Sequence, residues 1–238
     1  MQSVLKAIYP PQCLSCDTRV MDDHGFCPSC WGGAGFIMGL VCDKCGVPLL
    51  GEETGEAEFC DDCLTIARPW ARGRAALTYT DTGRRITLAL KHGDRMDIVK
   101  PAAEWMARAA RPIAAEGMVV TPVPLHWLRA ARRRYNQSGL LGRQVARLLG
   151  LTYKPDLLVR ARHTASQDGR NREDRFANIA GAIRAHPRRR AQIERQHVLV
   201  VDDVITSGAT FAACADALLA AGAAEVSVLS LARVAKTP

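Results

Sequence analysis

The sequence predicts an α/β protein with a doubly wound, mostly parallel sheet and a small cysteine-rich module at its N-terminus. Three observations lead to this expectation. Eight of the nine cysteines lie before residue 64, and strand-like and helix-like segments alternate from about residue 71 onward. A chain of 238 residues that is 48% hydrophobic can also bury one ordinary core with room for a small appendage. We therefore expect two units, residues 1–70 and residues 71–238.

The cysteines of the first unit form four CxxC pairs. Both sulfurs of such a tight turn can reach one ion, and two turns complete a tetrahedron, so the pattern predicts two zinc sites in a reducing compartment. An iron–sulfur cluster is the main alternative. Sequential pairing of the turns is the simplest arrangement, but the spacing also allows an interleaved one. The predicted metal ligands are Cys13, Cys16, Cys27, Cys30, Cys42, Cys45, Cys60 and Cys63.

These ions are expected to be structural, because all eight thiolates are used as ligands and no coordination position stays open for a substrate. The metal would replace a hydrophobic core that so short a segment cannot build. The module is also acidic, with four basic and ten acidic residues among residues 1–70. A protein contact or a purely structural role therefore fits it better than nucleic-acid binding.

The net charge of +8 is distributed unevenly along the chain. Residues 1–70 carry a net charge of −6, and residues 71–238 carry +14. Any attraction for phosphate or nucleic acid is therefore expected on the second unit. Residues 1–11 lack the apolar run of a secretion signal, and no window has the apolar length of a membrane span. We expect a cytoplasmic protein without membrane insertion.

Short apolar, β-branched runs mark the expected strands of the second unit. They cover residues 118–121, 157–160, 198–201 and 226–231. Gln137–Leu149 is expected to form an amphipathic helix, because its leucines and Val145 recur on one helical face. Strands that alternate with helices of this length predict a mostly parallel sheet, whose ligands bind beyond the carboxyl ends of the strands.

Residues 197–210, with the sequence HVLVVDDVITSGAT, place a carboxylate pair and a turn of small residues at such a strand end. Asp202 and Asp203 can accept hydrogen bonds from the vicinal hydroxyls of a ribose or from the water shell of magnesium. The backbone N–H groups and hydroxyls of the next five residues can wrap one phosphate, at the N-terminus of a helix expected near Phe211. These five residues are Thr206, Ser207, Gly208, Ala209 and Thr210. Each fragment alone could be a plain strand end or helix cap, but their succession favours a phosphate- and ribose-binding loop.

This string resembles the ribose-phosphate-binding signature of type I phosphoribosyltransferases, whose ligand is 5-phosphoribosyl 1-pyrophosphate with magnesium. With its cysteine-rich front, the whole chain resembles the ComF/GntX family of competence-associated, phosphoribosyltransferase-like proteins. The resemblance implies a phosphoribosyltransferase-like fold for residues 71–238 and a double zinc ribbon before it. It also implies zinc at two structural sites, magnesium with the ligand, and phosphoribosyl pyrophosphate or a related nucleotide as that ligand.

Other segments are similar to further motifs of the family. Residues 119–124, which include Pro122 and Val123, resemble the strand and loop that face the pyrophosphate. Residues 134–137 resemble its Arg-Gly-Phe-Asn-Gln motif without the glycine, and residues 90–93 resemble its Leu-Lys-Tyr-x-Gly region, with His92 in the aromatic place. The pattern of its flexible loop is matched by Thr164, Ser166, Gln167, Arg172, Arg175 and Asn178. Arg170 departs from that pattern, because an apolar residue is expected there.

The chemistry that the resemblance implies explains these residue types. When pyrophosphate leaves the anomeric carbon, an oxocarbenium-like sugar remains and negative charge concentrates on the departing phosphates. Cationic side chains and magnesium stabilise that charge, while the acidic pair holds hydroxyls and metal rather than acting as a nucleophile. The predicted catalytic residues are Asp202, Asp203, Arg172 and Arg175. The predicted ligand-binding residues are Asp202, Asp203, Thr206, Ser207, Gly208, Ala209, Thr210, Pro122, Val123, Lys91, Arg134 and Gln167.

Three functions fit the sequence. The intact acidic pair and loop favour ligand binding under all of them. The first is a phosphoribosyltransferase with an unidentified nitrogenous acceptor. The second is a non-catalytic protein of the same fold that binds single-stranded DNA and assists DNA uptake in natural transformation together with uptake proteins. Its basic unit would suit a phosphate backbone, although stacking aromatics are sparse at 5% of residues. The third is a sensor of phosphoribosyl pyrophosphate that contacts a partner through the zinc module.

Overall fold

A parallel sheet forms the centre of the second unit. The computed structural model describes residues 10–53, 55–92, 95–125, 135–162 and 171–235. Among these residues the sheet has five strands, β1 (Gly73–Thr78), β2 (Val119–Pro122), β3 (Thr152–Tyr153), β6 (His197–Ile205) and β7 (Glu225–Arg233). Their order across the sheet is β1-β7-β6-β2-β3, and every neighbouring pair is parallel. Two further strands, β4 (Leu158–Arg160) and β5 (Ile183–Ala185), form a separate antiparallel pair.

Helices follow most of these strands. The described helices are α1 (Pro28–Gly32), α2 (Asp61–Thr65), α3 (Asp81–His92), α4 (Val99–Ala110), α5 (Gln137–Leu149), α6 (Arg172–Ile179) and α7 (Ala209–Ala220), with short 3-10 segments at Met96–Ile98 and Pro187–Gln192. Helix α5 ends at Leu149 and is capped by Gly150, whose positive φ of 68° suits a left-handed C-terminal cap. Within the described part of the chain, no helix combines the length and apolar character needed to cross a membrane.

The central strands are buried on both faces. On β6, Leu199 and Val201 pack into the core formed with α3, α4 and α5. Val198 and Val200, which alternate with them, pack into a second core with α6, α7 and the β4–β5 pair. Such two-sided burial is typical of parallel sheets whose helices cover both faces. The doubly wound, mostly parallel arrangement predicted from the sequence is therefore confirmed.

Several element predictions need correction. The run at 157–160 does contain a strand, but that strand pairs antiparallel with β5 and lies outside the parallel sheet. Helix α7 begins at Ala209, two residues before the expected start, because Gly208 already provides the left-handed N-cap. Strands β1 and β3 were not predicted, since β1 carries an arginine and β3 has two residues. Helix α5 has the predicted bounds.

The cysteine-rich segment covers the β1 edge of the sheet. Strand β1 lies at that edge, and Phe36 forms an antiparallel bridge with Leu77. The backbone N–H of Gly73 donates to the carbonyl of Asp43 at 2.8 Å. An exposed parallel edge is a template for unwanted strand pairing, so these contacts complete the sheet as well as attach the module.

A partly buried charge cluster lies at this junction. The Asp43 carboxylate accepts hydrogen bonds from Arg72 at 3.0 and 3.1 Å and from Arg74 at 2.7 Å. Partial burial alone would raise the pKa of Asp43, but the two guanidinium groups lower it below its ordinary value. Arg72 also donates to the carbonyl of Pro112 at 2.8 Å, which extends the cluster to the end of α4. Asp43 is thus the shared acceptor of two arginines where the cysteine-rich segment meets β1.

We predict that Asp43→Asn lowers the free energy of unfolding by about 1 to 3 kcal/mol, because it leaves Arg74, whose side chain is 11% exposed, and Arg72 without an anionic acceptor. Asp156→Asn is the matched control, since Asp156 pairs with Arg189 where both side chains are about 40% exposed. That control should lose less than about 1 kcal/mol. Urea unfolding of zinc-replete protein gives both values. Equal losses in the two variants would contradict a special role for the Asp43 cluster.

Candidate functional site

Two clusters of four cysteine sulfurs lie in the N-terminal module, and within each cluster the sulfurs are all less than 4.8 Å apart. The Cys16 and Cys27 sulfurs are 3.6 Å apart, and the Cys45 and Cys60 sulfurs are 3.7 Å apart. Tetrahedral zinc with Zn–S bonds of about 2.3 Å holds its sulfurs about 3.8 Å apart, so both clusters fit zinc. The clusters are Cys13, Cys16, Cys27 and Cys30 (the first centre) and Cys42, Cys45, Cys60 and Cys63 (the second centre).

The turns therefore pair sequentially, and the interleaved pairing that the spacing allowed is not adopted. In each centre one CxxC pair forms a turn, and the other pair begins a short helix, α1 after Cys27 and α2 after Cys60. The turn of the second centre closes with a hydrogen bond from the Gly46 N–H to the Cys42 carbonyl at 2.8 Å. Gly46 has a positive φ of 69°, and a Cβ there would lie 2.8 Å from the Ala75 nitrogen of β1. The glycine lets this turn pack directly on the sheet edge.

We predict that purified protein holds two zinc ions per chain, one in each centre. Cys13→Ser and Cys60→Ser should each lower the zinc content to about one equivalent, because each removes a thiolate from a different ion. Mass spectrometry measures the zinc content of each variant. Titration with a thiol-reactive reagent, which releases the bound metal, gives an independent count. Loss of both ions from either single variant would contradict independent, sequentially paired centres.

The acidic pair lies at the carboxyl end of β6, where three elements meet. Asp202 Oδ1 accepts hydrogen bonds from the Ser138 hydroxyl of α5 at 2.7 Å and from the Asp203 backbone N–H at 2.9 Å. Asp203 Oδ2 lies 3.5 Å from the Lys91 ammonium of α3. The predicted residues Asp202, Asp203 and Lys91 are thus brought together. Their arrangement presents carboxylate oxygens beside a cation at the edge where an open α/β sheet binds ligands.

The electrostatics of the pair favour a cationic or hydroxyl-bearing ligand. Burial, and then the neighbouring charge of Asp203, raise the pKa of Asp202 to about 7, although Ser138 and Lys91 oppose the shift. Two carboxyl groups so close to each other do not both ionise readily without a compensating charge. A divalent cation would supply that charge, and ribose hydroxyls would donate hydrogen bonds to the same oxygens.

Residues 206–208 form the turn between β6 and α7. Gly208 has a positive φ of 83°, and Ala209, the first residue of α7, donates its N–H to the Ser207 hydroxyl at 3.4 Å. Helix α7 has 12 residues, so its N-terminal N–H groups and dipole suit an anion. The predicted loop residues Thr206, Ser207, Gly208, Ala209 and Thr210 therefore lie together at this helix end.

The end of β2 borders the same edge. Pro122 is paired with Val201 of β6, and the Val123 N–H donates to the Val201 carbonyl at 2.9 Å. Asn136, which precedes α5, contacts the Val123 carbonyl through its Nδ2 at 3.5 Å. Its Oδ1 is buried and has no hydrogen-bond partner among the residues that the structure describes. Pro122 and Val123 thus lie where the sequence predicts, next to an amide with unused acceptor capacity.

The basic residues are only partly located. Arg175 lies on α6, and Arg172 is the first residue of that helix. Their roles, like that of Lys91 toward a ligand, stay predictions. Several predicted positions lie outside the described residues, namely Gly93, Arg134, Thr164, Ser166, Gln167 and Arg170, as do the side chains of His92 and Arg172.

Three side chains at the site were not foreseen. Ser138 binds Asp202 from α5, and no local pattern links residues 64 positions apart. Arg68 donates to the Ser207 carbonyl at 2.6 Å, and Arg233 donates to the Thr206 carbonyl at 2.6 Å. Both arginines reach the turn from remote parts of the chain. A basic residue at the end of the last strand is the one available sequence signal for Arg233, and it is a weak one.

We predict that Asp202→Asn stabilises the ligand-free protein at neutral pH. A carboxyl whose pKa is higher in the folded chain than in the unfolded chain destabilises the fold increasingly as pH rises between those two values. The asparagine Oδ1 can still accept the bonds from Ser138 and Asp203, and the amide carries no charge. The gain in unfolding free energy should grow from pH 5 to pH 8 and reach about 1 to 3 kcal/mol. Denaturant unfolding at four pH values measures it, and a gain that shrinks as pH rises would contradict the raised pKa.

Comparisons with known proteins agree with this architecture. The family described as the double zinc ribbon domain matches residues 4–64, and the phosphoribosyl transferase domain matches residues 107–237. The chain is 31% identical over 232 residues to the DNA utilization protein YhgH of Salmonella typhi, covering 94% of this chain and 97% of the relative. It is 28% identical over 197 residues to the competence protein F of Haemophilus influenzae, covering 81% and 84%.

Two larger solved structures align with part of the chain. A glutamine phosphoribosylpyrophosphate amidotransferase from B. subtilis aligns with a TM-score of 0.41 and 23% identity, over 60% of this chain and 30% of that one. An allosteric regulatory enzyme of purine biosynthesis aligns with a TM-score of 0.41 and 22% identity, over 60% and 29%.

Proposed function

The chain belongs to the ComF family of phosphoribosyltransferase-like proteins with a double zinc ribbon, and from this premise we propose that it binds 5-phosphoribosyl 1-pyrophosphate or a related nucleotide with magnesium. The observation that carries the proposal is the contiguous site at the end of β6. There a carboxylate pair, a small-residue turn and a helix N-terminus follow one another within nine residues, Asp202 to Thr210.

Each part of the ligand has a matching part of the site. The 5-phosphate would accept hydrogen bonds from the N–H groups and hydroxyls of residues 206–210. Asp202 and Asp203 would accept hydrogen bonds from the ribose hydroxyls and from magnesium-bound water. The raised pKa of Asp202 supports a place for a cation, because the pair lacks full charge compensation. The Lys91 ammonium lies 3.5 Å from Asp203 and compensates part of its charge. When magnesium binds and takes over that compensation, Lys91 would turn toward the pyrophosphate.

We further propose that the protein is a phosphoribosyltransferase. The bond between the anomeric carbon and the pyrophosphate oxygen breaks, its electron pair leaves with pyrophosphate, and a nitrogen of the acceptor bonds to the same carbon. Magnesium supplies charge neutralisation of the departing pyrophosphate when it is bound. Arg134, Arg172 and Arg175 would stabilise the leaving group, and Gln167 would hydrogen-bond the closed ligand. The main-chain end of β2 at Pro122 and Val123 would face the pyrophosphate.

A second function has specific support. Residues 71–238 carry a net charge of +14, and two relatives are named for DNA utilization and competence. A non-catalytic protein of this fold could bind single-stranded DNA, or sense phosphoribosyl pyrophosphate and act through partners of the zinc module. DNA uptake would be the process that such a protein assists.

We also propose a cytoplasmic location and a division into residues 1–70 and 71–238, with the Asp43 junction between them.

Calorimetric titration with phosphoribosyl pyrophosphate tests the proposal. We predict binding that requires magnesium and weakens at least about tenfold in Asp203→Asn, which is about 1.4 kcal/mol, because the variant loses an anionic acceptor. Asp216→Asn is the matched control, since Asp216 is an exposed carboxylate on α7 and should leave the affinity unchanged. Absence of binding by folded, zinc-replete protein would reject the proposal, and salt-sensitive binding of a single-stranded oligonucleotide in the same sample would favour the second function.

A further inference from the structure

We infer that the second zinc centre is a working part of the ligand site, because Arg68 and Arg233 connect its cysteines to the turn at residues 206–208 and orient the N–H groups of that turn. The inference about ligand affinity rests on the proposed function. The inference about the turn itself does not, since it concerns the ligand-free protein. The two arginines are positioning residues, because they act through the backbone of the turn.

Arg233 is the more buried of the two, with 4% of its surface exposed at the end of β7. Its Nη1 donates to the Thr206 carbonyl at 2.6 Å and to the Val234 carbonyl at 2.9 Å. Its Nη2 lies 3.6 Å from the Cys45 sulfur of the second centre. One planar guanidinium therefore joins the zinc-ligating cysteine to the turn, and its fork geometry couples the two positions.

Arg68 makes a parallel connection from the segment that follows the second centre. Its Nη1 donates to the Ser207 carbonyl at 2.6 Å, and the same side chain hydrogen-bonds the Cys63 sulfur. It stacks over the Trp70 ring, with 5.3 Å between the guanidinium carbon and the ring centroid. A Cβ on Gly208 would meet Arg68 at 2.8 Å and Trp70 at 2.9 Å. The turn is thus packed against this segment without room for a side chain.

The first and second pairs of cysteines in the second centre are tied to the same segment. The Trp70 indole N–H donates to the Lys44 carbonyl at 2.5 Å, and the Lys44 ammonium donates to the Trp70 carbonyl at 3.0 Å. Lys44 lies inside the Cys42–Cys45 turn. Arg68 and Trp70, which follow Cys63, are therefore held by both halves of the centre. Zinc, by joining the halves, fixes the surface on which the turn rests.

The geometry of the peptide unit explains what this support does. A trans peptide is planar, so its N–H points opposite to its C=O. Arg233 holds the carbonyl of Thr206, which directs the N–H of Ser207 away from the arginine. Arg68 holds the carbonyl of Ser207 and directs the N–H of Gly208 in the same manner. Two guanidinium groups behind the turn thereby aim two donors away from the zinc module, where a phosphate would bind.

Electrostatics make the arrangement depend on the metal. Four thiolates around one Zn²⁺ carry a net charge of about −2, which compensates the buried guanidinium of Arg233. The Nε atoms of Arg68 and Arg233 are buried and have no hydrogen-bond partner within the described residues. A buried donor without a partner destabilises the fold, so stability alone does not explain why these two arginines are placed here. The first centre packs instead against Phe26 and Val20. Among the described contacts, none joins its cysteines to residues 206–208.

The test measures the turn and the ligand separately in the full-length protein. Backbone amide NMR signals of Ser207 and Gly208 are recorded without ligand in wild type, Cys60→Ser and Cys13→Ser. We expect Cys60→Ser, which loses the second zinc, to shift or broaden both signals. Cys13→Ser, which loses the first zinc, should leave them unchanged. Unchanged signals in Cys60→Ser, or equal changes in both variants, would overturn the inference whether or not phosphoribosyl pyrophosphate binds.

Arginine variants identify the connection. Arg68→Gln and Arg233→Lys should each perturb the same two amide signals and weaken magnesium–phosphoribosyl pyrophosphate binding about tenfold, with two zinc ions retained. Arg68→Lys, which keeps a charged donor for the Ser207 carbonyl, should restore part of the affinity. Arg72→Gln is the matched control, since Arg72 contacts the module at Asp43 but not the turn. A perturbed turn in the control would assign the effect to general docking and overturn the role of Arg68 and Arg233. If Arg233→Lys does not fold, the less buried Arg68 variants still decide the question.

Discussion

The pairing of β6 with both of its neighbours is the constraint on which the site depends. Strand β6 runs between β2 and β7 with both faces buried, so its register fixes what stands at the carboxyl edge. Pro122 is opposite Val201, and Asp202 is opposite Ser230. A slip of one residue would turn every side chain of β6 to the other face, sending Asp202 and Asp203 away from their present partners. The continuous apolar run before the acidic pair, which is buried on both faces, therefore stabilises the fold and also places the carboxylates.

The same edge concentrates unfavourable electrostatics. Asp203 is 7% exposed, and burial together with the neighbouring carboxylate raises the pKa of Asp202 to about 7. Lys91 and Ser138 offset this only in part. Strongly perturbed carboxyl groups cluster at functional sites, and hydrophobic residues in their place often stabilise a fold at least as well. The pair is thus better explained by binding than by stability, and the site is organised before any ligand arrives.

Local sequence patterns predicted the parts of this protein that are themselves local. Each CxxC pair, helix α5 and the 197–210 string is a short continuous segment of the chain. The structure has the predicted cysteine clusters, helix and strand at these positions. The parts that were missed depend on distant contacts. Strand β1 carries Arg74, and a charged residue is not expected in a strand of this kind. Asp43 compensates that charge, but the two residues come together only in the fold. Ser138 acquires its role only when α5 packs against β6, and Arg68 reaches the turn from 139 residues away. Residue propensities and motif spacing describe neighbours in the sequence, so they do not predict contacts between residues that are far apart in the chain.

The distribution of charge explains why the acidic module and the basic domain are one folded structure. The module has a net charge of −6 before any thiolate is counted, and it contacts the second unit through arginines, Arg72 and Arg74 at Asp43 and Arg233 at Cys45. These guanidinium groups donate in fixed directions, so the attachment is directional as well as attractive. Two arginines that contact cysteines of the second centre, Arg68 and Arg233, also donate to the carbonyls of the turn at residues 206–208. A zinc ribbon that served only to stabilise the N-terminus would need none of these contacts with the turn, whereas one that supports ligand binding needs them at the carbonyls where they occur.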